Sequence, residues 1–596
     1  MRKRILDGKV ICLIFTLISG LGSLLYLLYF DAPILWNIIG IFLLLTDLLV
    51  IGILQAIAQK VGRTFTKKVL VFYGSLILKY GILFLANFIG YGYQTWSNVL
   101  LGCLIYGSVW GTLIMGILFV FHGYKILESH EPHPNESEIS NLSKKRVFSI
   151  IFISALAVLG LIGGIIMDIA IIMPRDQLHG SFVAGIMAGM MGIFLGVVNL
   201  AFTGILLLSI SVLWSHRGWK GKGKGKNNGK EKGEQNRKQF LLRKEIYVLG
   251  MITVLGLIIA SLSFLPLVST PNFTRQADED FNQAFNPSFG GDWQTDIPSS
   301  IEQTYFLSAP FQLAGYFLGS PTFDCITLKD ILYFNGTTSI YPQDHAITLY
   351  FDAFLPLNNG QGLPGENSTL IRIHGGGWVI GDKALQNMNQ MNRYFAAQGY
   401  CVFDIQYGLY NESTLFANIP GTPTNVLGNF TIDDILRHIG NFTFYLETHA
   451  EEYGANLDSV FISGGSAGGQ LTSATALSLT HGNYSIFSSA FTVKGQIPFY
   501  PANNAQLDFV FTSRPEWVNP DLLVDVNSPP CLIYQGERDS LYPRAIAHQQ
   551  AYMDASREDC AALVFPYAGH GSDLYFMGYY SQVFLYYMER FLYLYH

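Results

Sequence analysis

The chain has 596 residues, 50% of them hydrophobic and only 13% charged, with a formal net charge of −6. Average soluble domains carry about 25% charged residues, so this deficit, with a mean hydropathy of +0.30, excludes a wholly soluble or a disordered chain. Residues 1–270 hold 25 Lys and Arg against 12 Asp and Glu, whereas residues 271–596 hold 12 against 31. A basic, apolar first part therefore precedes an acidic, ordinarily globular second part. That second part has no basic patch, which argues against nucleic acid as a partner.

Seven apolar runs are long enough to cross a bilayer, which takes about 20 helical residues. They lie near 10–30, 34–55, 69–89, 98–121, 147–172, 181–213 and 246–268. Arg2, Lys3 and Arg4 precede the first, but it is too long for the apolar region of a secretory signal and lacks a small-residue cleavage pattern. The sixth is too long for a perpendicular helix and must tilt, break or protrude.

Loop charges predict the orientation. The N-terminus and segments 56–68, 122–146 and 214–245 carry 4, 4, 4 and 11 Lys and Arg; the intervening segments 31–33, 90–97 and 173–180 carry 0, 0 and 1. By the positive-inside rule the N-terminus is cytoplasmic and everything after residue 268 lies on the far side, at a cell surface or in an organelle lumen. The Gly/Lys-rich stretch Gly218–Gly233 reads as a cytoplasmic topology determinant, with binding of anionic lipid head groups as the alternative. Seven Asn-x-Ser/Thr sequons agree with a far-side glycoprotein domain, at Asn272, Asn335, Asn367, Asn411, Asn429, Asn441 and Asn483. Two more, Asn135 and Asn141, fall in an expected cytoplasmic loop.

Within the bundle, the pairs Gly160/Gly164, Gly185/Gly189 and Gly192/Gly196 have the spacing that permits close helix contact. Asp47 and Lys79 fall mid-span on adjacent antiparallel helices and are expected to neutralise each other. Asp168 lies near the outer end of its run and is expected to reach water. Six cysteines are too few for a disulfide scaffold; Cys401 and Cys531, inside strand-like runs, are expected to be buried thiols. No His/Cys cluster suggests a metal.

After residue 269 short β-rich runs alternate with helical stretches, the pattern of a mostly parallel sheet flanked by helices. Strands are predicted at 346–354, 370–374, 401–407, 460–463, 491–497, 531–534 and 562–565, and helices at 387–398, 431–453, 467–479, 543–556 and 574–594. The expected organisation is a seven-helix membrane domain over 1–268, a linker and cap over 269–345, and an α/β domain over 346–596.

The chemistry concentrates in four motifs. Gly464-Gly465-Ser466-Ala467-Gly468 follows an apolar strand and precedes a helix, the context of a G-x-S-x-G nucleophile elbow. His374-Gly375-Gly376-Gly377-Trp378 follows another strand. Its amides, with that of Ala467, are suited to an oxyanion hole, while His374 reads as an organiser of the loop. Asp539 and His570 follow in the order Ser…Asp…His, each just past the C-terminal end of a strand, where open α/β sheets place their sites. Glu537 competes as the acid and His548 and His481 as the base. Glu537 suits a turn better, and the two histidines fall in helices, away from a loop that could reach Ser466.

Residues 345–595 resemble the α/β-hydrolase superfamily, specifically its HGGG-bearing esterases of the hormone-sensitive-lipase and feruloyl/acetylxylan-esterase-like groups. The resemblance rests on His374–Trp378, Gly464–Gly469, Gly536–Leu541 and Gly569–Gly571, and does not extend to residues 1–270. It implies Ser466 as nucleophile, His570 as base, Asp539 as its orienter, and an oxyanion hole from Gly375, Gly376, Gly377 and Ala467. Gly465 departs from the lipase-like group, which usually has Asp there, and Gly408 stands where these families commonly have Arg. The expected activity is that of a membrane-anchored, cofactor-free serine carboxylic-ester hydrolase acting on a lipid, lipid-linked or small acyl ester beside membrane lipids. An acyltransferase using the same serine, or a membrane binding or transport protein with a non-catalytic hydrolase-like module, are the alternatives.

Overall fold

A computed structural model describes residues 2–61, 63–90, 99–129, 144–173, 182–220, 231–384, 386–411, 422–505 and 513–596. Asn135 and Asn141 lie outside these residues, as does most of Gly218–Gly233. Among the described residues, seven helices are long and apolar enough to cross a membrane: α1 (Arg2–Tyr26), α2 (Pro33–Val61), α3 (Arg63–Phe88), α4 (Val99–Glu128), α5 (Lys144–Ile172), α6 (Phe182–Lys220) and α7 (Glu231–Ser263). The long sixth run is one continuous helix, Phe182–Lys220. After a break at Phe264, just ahead of Pro266, the chain continues as α8 (Leu265–Phe285). Proline accounts for the break because it has no N–H to extend the preceding ladder.

Small residues set the helix approaches. A side chain at Gly160 would strike Phe202 of α6, and one at Gly164 would strike Asn199. On α6 itself, Gly196 lies against Phe264. Asp47 and Lys79 form a buried ion pair, and the Tyr80 hydroxyl donates to the same carboxylate at 2.7 Å. Asp168 differs from expectation: it is only 2% exposed and accepts from the Ser263 hydroxyl at 2.6 Å. The close approach of α5 to α6 and α7 covers it, so nearness to a span end does not bring it to water.

The second part is built on one eight-stranded sheet in the order β1-β2-β4-β3-β7-β8-β9-β10. The strands are β1 (Ile326–Asn335), β2 (Thr348–Leu355), β3 (Ser368–Ile373), β4 (Cys401–Ile405), β7 (Asn456–Gly465), β8 (Val493–Phe499), β9 (Cys531–Gly536) and β10 (Cys560–Phe565); β5 (Leu409–Tyr410) and β6 (Leu427–Gly428) form a separate short pair. The β1–β2 and β2–β4 ladders are antiparallel and the rest of the sheet is parallel. This sheet is flanked by helices, the arrangement of an α/β-hydrolase fold. β1 escaped sequence prediction because Lys329 and Asp330 form a bulge, with Asp330 at a φ of 54°, which breaks the alternation a strand pattern needs.

On one face lie α9 (Leu313–Leu318), α10 (Gln386–Ala397) and α14 (Tyr579–Tyr595) with α8; on the other lie α11 (Ile432–Tyr453) and α12 (Ala467–His481). α13 (Tyr542–Asp554) covers the β9–β10 end. A reciprocal Thr431–Asp434 capping box starts α11, satisfying amides that have no helical partner. The last helix begins at Tyr579 instead of 574, because Ser572–Leu574 form a 3-10 turn and the following residues pack on the bundle.

From the segment between span and sheet, α9 packs against the ends of the spans. Tyr26 donates to Gly319 O at 2.9 Å, and Asn37 donates to Phe311 O at 3.1 Å while accepting from Leu313 N at 2.8 Å. Tyr316 donates to Met190 O at 2.6 Å. All six cysteines are free, with Cys401 and Cys531 buried.

Candidate active site

The elbow follows from local geometry. β7 ends at Gly465 and α12 begins at Ala467, so the single residue between them must reverse the chain; Ser466 does so at φ 60°, ψ −119°. That is a strained conformation for a residue with a Cβ, of the kind that persists where surrounding structure enforces it. Gly468 is required by close approach, since a side chain there would run into the carbonyls of Ile373 and His374. The result holds Ser466 half-buried, at the N-terminus of a helix whose first amides have no carbonyl partner within it.

The structure brings together the three residues singled out from the sequence. His570 Nε2 lies 2.9 Å from Ser466 Oγ, and His570 Nδ1 lies 2.8 Å from Asp539 Oδ2. Asp539 is 1% exposed, and its other oxygen accepts from the Leu541 amide at 2.9 Å. A chain of carboxylate, imidazole and hydroxyl thus runs from the buried Asp539 to the half-buried Ser466. The competing residues lie elsewhere: Glu537 faces Arg538 at 3.9 Å. His548 is buried between Asp521, at 2.7 Å, and Gln496. His481 contacts Leu523 O at 2.7 Å.

The 374–378 loop packs directly on the elbow. A Cβ at Gly375 would sit 2.6 Å from Gly465 O and 3.3 Å from Ser466 Cβ. Gly376 and Gly377 have φ of 123° and 61°, and Gly376 O closes the turn by accepting from Val379 N at 3.1 Å and Ile380 N at 3.0 Å. His374 stacks on Tyr407 with ring centroids 4.2 Å apart, its Nδ1 2.9 Å from Gly375 O. Burial holds its imidazole below the usual range, and its Nδ1 faces the loop backbone.

Both departures from the resembled families have spatial reasons. A Cβ at Gly465 would lie 2.8 Å from the Tyr500 hydroxyl, so Tyr500 fills the room a larger residue would take. At Gly408 the space is filled by His438 and Phe430, 2.6 Å and 2.7 Å from a Cβ there. Gly408 N also donates to His438 Nδ1 at 3.3 Å, and His438 Nε2 reaches Asp344 at 3.1 Å.

Three residues beside the site were not singled out from the sequence. The Tyr500 ring packs on His570 with centroids 4.5 Å apart, and its hydroxyl donates to Asp573 at 2.6 Å. Burial raises Asp573 above the usual carboxylate range against that hydrogen bond. Arg372, buried in β3, donates to Ser463 at 2.7 Å beneath the elbow. Tyr500 directly follows β8, and its position past a strand end was the available signal.

Residues 352–508 match the BD-FAE family model. The chain is similar to the probable carboxylic ester hydrolase LipM of Mycobacterium tuberculosis, 25% identical over 239 residues, covering 36% of this chain and 51% of that protein. It is also similar to esterase LipQ of the same organism, 29% identical over 238 residues, covering 35% of this chain and 52% of that protein. Among solved structures it resembles the apo form of Thermogutta terrifontis esterase 2, at 19% identity, 46% coverage of this chain, 91% of that chain and a TM-score of 0.33. The chain spans about half the length of the curated relatives it matches. Its C-terminal part is an α/β-hydrolase-fold domain, similar to these esterases.

Proposed function

We propose that this protein is a membrane-anchored serine carboxylic-ester hydrolase, residues 1–268 forming the anchor and residues 346–596 the catalytic part. The observation that carries this reading is the hydrogen-bonded run Ser466 Oγ–His570 Nε2 and His570 Nδ1–Asp539, at 2.9 and 2.8 Å. Ser466 Oγ attacks the ester carbonyl while His570 takes its proton, and Asp539 fixes the imidazole tautomer and stabilises the imidazolium. The carbonyl oxygen gathers negative charge against the amides of the Gly375–Gly377 loop and Ala467, each such donor being worth about 3–4 kcal/mol in comparable sites. The ester C–O bond then breaks, His570 returns its proton to the departing alcohol, and Ser466 keeps the acyl group. Water, deprotonated by His570, attacks that acyl-enzyme, releases the acid and restores the serine.

The catalytic part is assigned to the extracytoplasmic side. Support comes from the 23-to-1 excess of Lys and Arg in alternate loops and from docking at the other ends of the spans, at Tyr26, Asn37 and Met190. The test is labelling of the purified full chain by a fluorophosphonate probe. Labelling that disappears in Ser466→Ala, together with hydrolysis of p-nitrophenyl acetate, is the expected result. Ester hydrolysis that persists in Ser466→Ala overturns the mechanism, and a C-terminal tag found in the cytoplasm overturns the orientation.

A further inference from the structure

The bundle fixes which way the catalytic edge of the sheet points. α8 leaves the last span at Leu265 and rises for 21 residues, about 31 Å at 1.5 Å per residue. Low on it, Phe273 meets Phe565 at the C-terminal end of β10, with ring centroids 5.8 Å apart. At its far end Phe285 meets Phe591 of α14, at 5.3 Å. Phe591 in turn lies on Phe461 of β7 and on Gly495 near the start of β8. α14 runs in the opposite sense. Its first residue, Tyr579, sits against Gly192 of α6, and its last, Tyr595, packs on Phe285 and Phe289. The parallel strands therefore run toward the membrane, and the edge carrying Ser466, Asp539 and His570 faces it.

The histidine loop is tied to the spans on both sides. Tyr567 packs on Ala170 and Ile171 at the outer end of α5. Three residues later comes His570, a stretch that covers at most about 11 Å. Five residues further, Tyr575 packs on Phe84 of α3 and Phe194 of α6, with centroids 6.4 and 6.1 Å apart, and donates to Tyr316 O at 2.6 Å. A single flexible tether would anchor a hydrolase acting on soluble esters. Here α9 and this loop set the height and tilt of the site over the bilayer.

Resting on the serine-esterase reading above, we propose that the substrate is a bilayer-borne ester. Its long acyl chain stays in the leaflet on the hydrolase side while its ester group, at the interface, enters the site from the membrane side. Delivery through water would expose every methylene of such a chain; a site held at the interface avoids that extraction.

The test uses the full chain in phosphatidylcholine vesicles with p-nitrophenyl palmitate, placed either in the same vesicles or in separate protein-free ones. p-Nitrophenyl acetate in water is the soluble comparison, and Ser466→Ala is the blank for every arm. Sharing the bilayer raises the effective concentration, so the palmitate is expected to turn over about tenfold faster or more from the same vesicles than from separate ones. Hydrolysis of acetate with palmitate untouched, or cleaved equally in both arrangements, overturns this inference and leaves the esterase reading standing. Loss of all hydrolysis and of fluorophosphonate labelling would remove the esterase reading and this inference with it.

Discussion

Two regions of the molecule bury a carboxylate beside a proton-bearing partner, and they use it in opposite ways. In the bundle, Asp47 accepts from Lys79 and Tyr80, and all three residues are buried. The charge is neutralised where it stands. At the edge of the sheet, Asp539 accepts from one imidazole, and the other nitrogen of that imidazole faces a half-exposed hydroxyl. The same chemistry is closed in one place and relayed outward in the other. The difference lies in where the chain of donors ends, since both carboxylates are almost wholly covered.

The largest effect tests the relay. Ser466→Ala should lower ester turnover by about 10⁶ with folding and membrane insertion intact, His570→Ala nearly as much, and the double variant little more than either, because such residues act as a unit. Single-turnover rates on p-nitrophenyl acetate with a fluorophosphonate label measure it; additive losses would show that the two do not cooperate. Asp539→Asn should be milder, about 10⁴ in kcat, because an amide still holds the ring but favours the wrong tautomer. A rate equal to that of the parent chain would remove Asp539 from the relay.

The closed pair should respond as a structural element. Asp47→Asn or Lys79→Met alone leaves an unmatched polar or charged group in low dielectric, a loss of about 3–5 kcal/mol for breaking a buried pair. Replacing both with apolar residues of similar volume should restore most of it. Thermal unfolding of the detergent-solubilised chain reads this, and a double variant as damaged as the sum of the singles would show that the two are not partners.

Much of this comparison was legible in the sequence, for physical reasons that differ by region. The elbow and the glycine loop announce themselves because few residues tolerate the backbone at Ser466, Gly376 and Gly377. The Asp47–Lys79 pair was legible because charge within a span needs a partner. Burial of Asp168 was not, since it depends on the approach of α5 to α6 and α7 and not on depth along a helix. The docking role of Leu313–Leu318 was also hidden: a short apolar run reads alike whether it meets a sheet or a bundle. Tyr500 and Asp573 belong to tertiary packing around His570 and have no local pattern of their own.

A third buried carboxylate sharpens the contrast through pH. Glu589 on α14 is wholly buried and accepts from Tyr394, Gln398 and Leu307 N beside Arg590. Burial outweighs those partners and pushes it up to about 7. The folded chain therefore holds this proton more tightly than the unfolded one. Its contribution to stability is complete below the ordinary glutamate value and is lost as pH rises through about 7. Glu589→Gln should flatten the decline in unfolding temperature between about pH 5 and about pH 8, and an unchanged slope would show that the decline arises elsewhere.

The smallest expected effect discriminates best between relay and bystander. Glu537 stands two residues from Asp539 on the same turn, and its carboxylate faces Arg538 near the surface, 3.9 Å away. A partly exposed pair of that kind contributes about 1 kcal/mol or less, whereas the carboxylate on His570 Nδ1 is that of Asp539. Glu537→Gln should therefore leave kcat and KM on p-nitrophenyl acetate close to those of the parent chain, under conditions where Asp539→Asn is crippled. If the order is reversed, the acid of the relay is Glu537. The turn after β9 would then have to rearrange to bring that side chain to His570 Nδ1, while Ser466 and His570 would keep their roles.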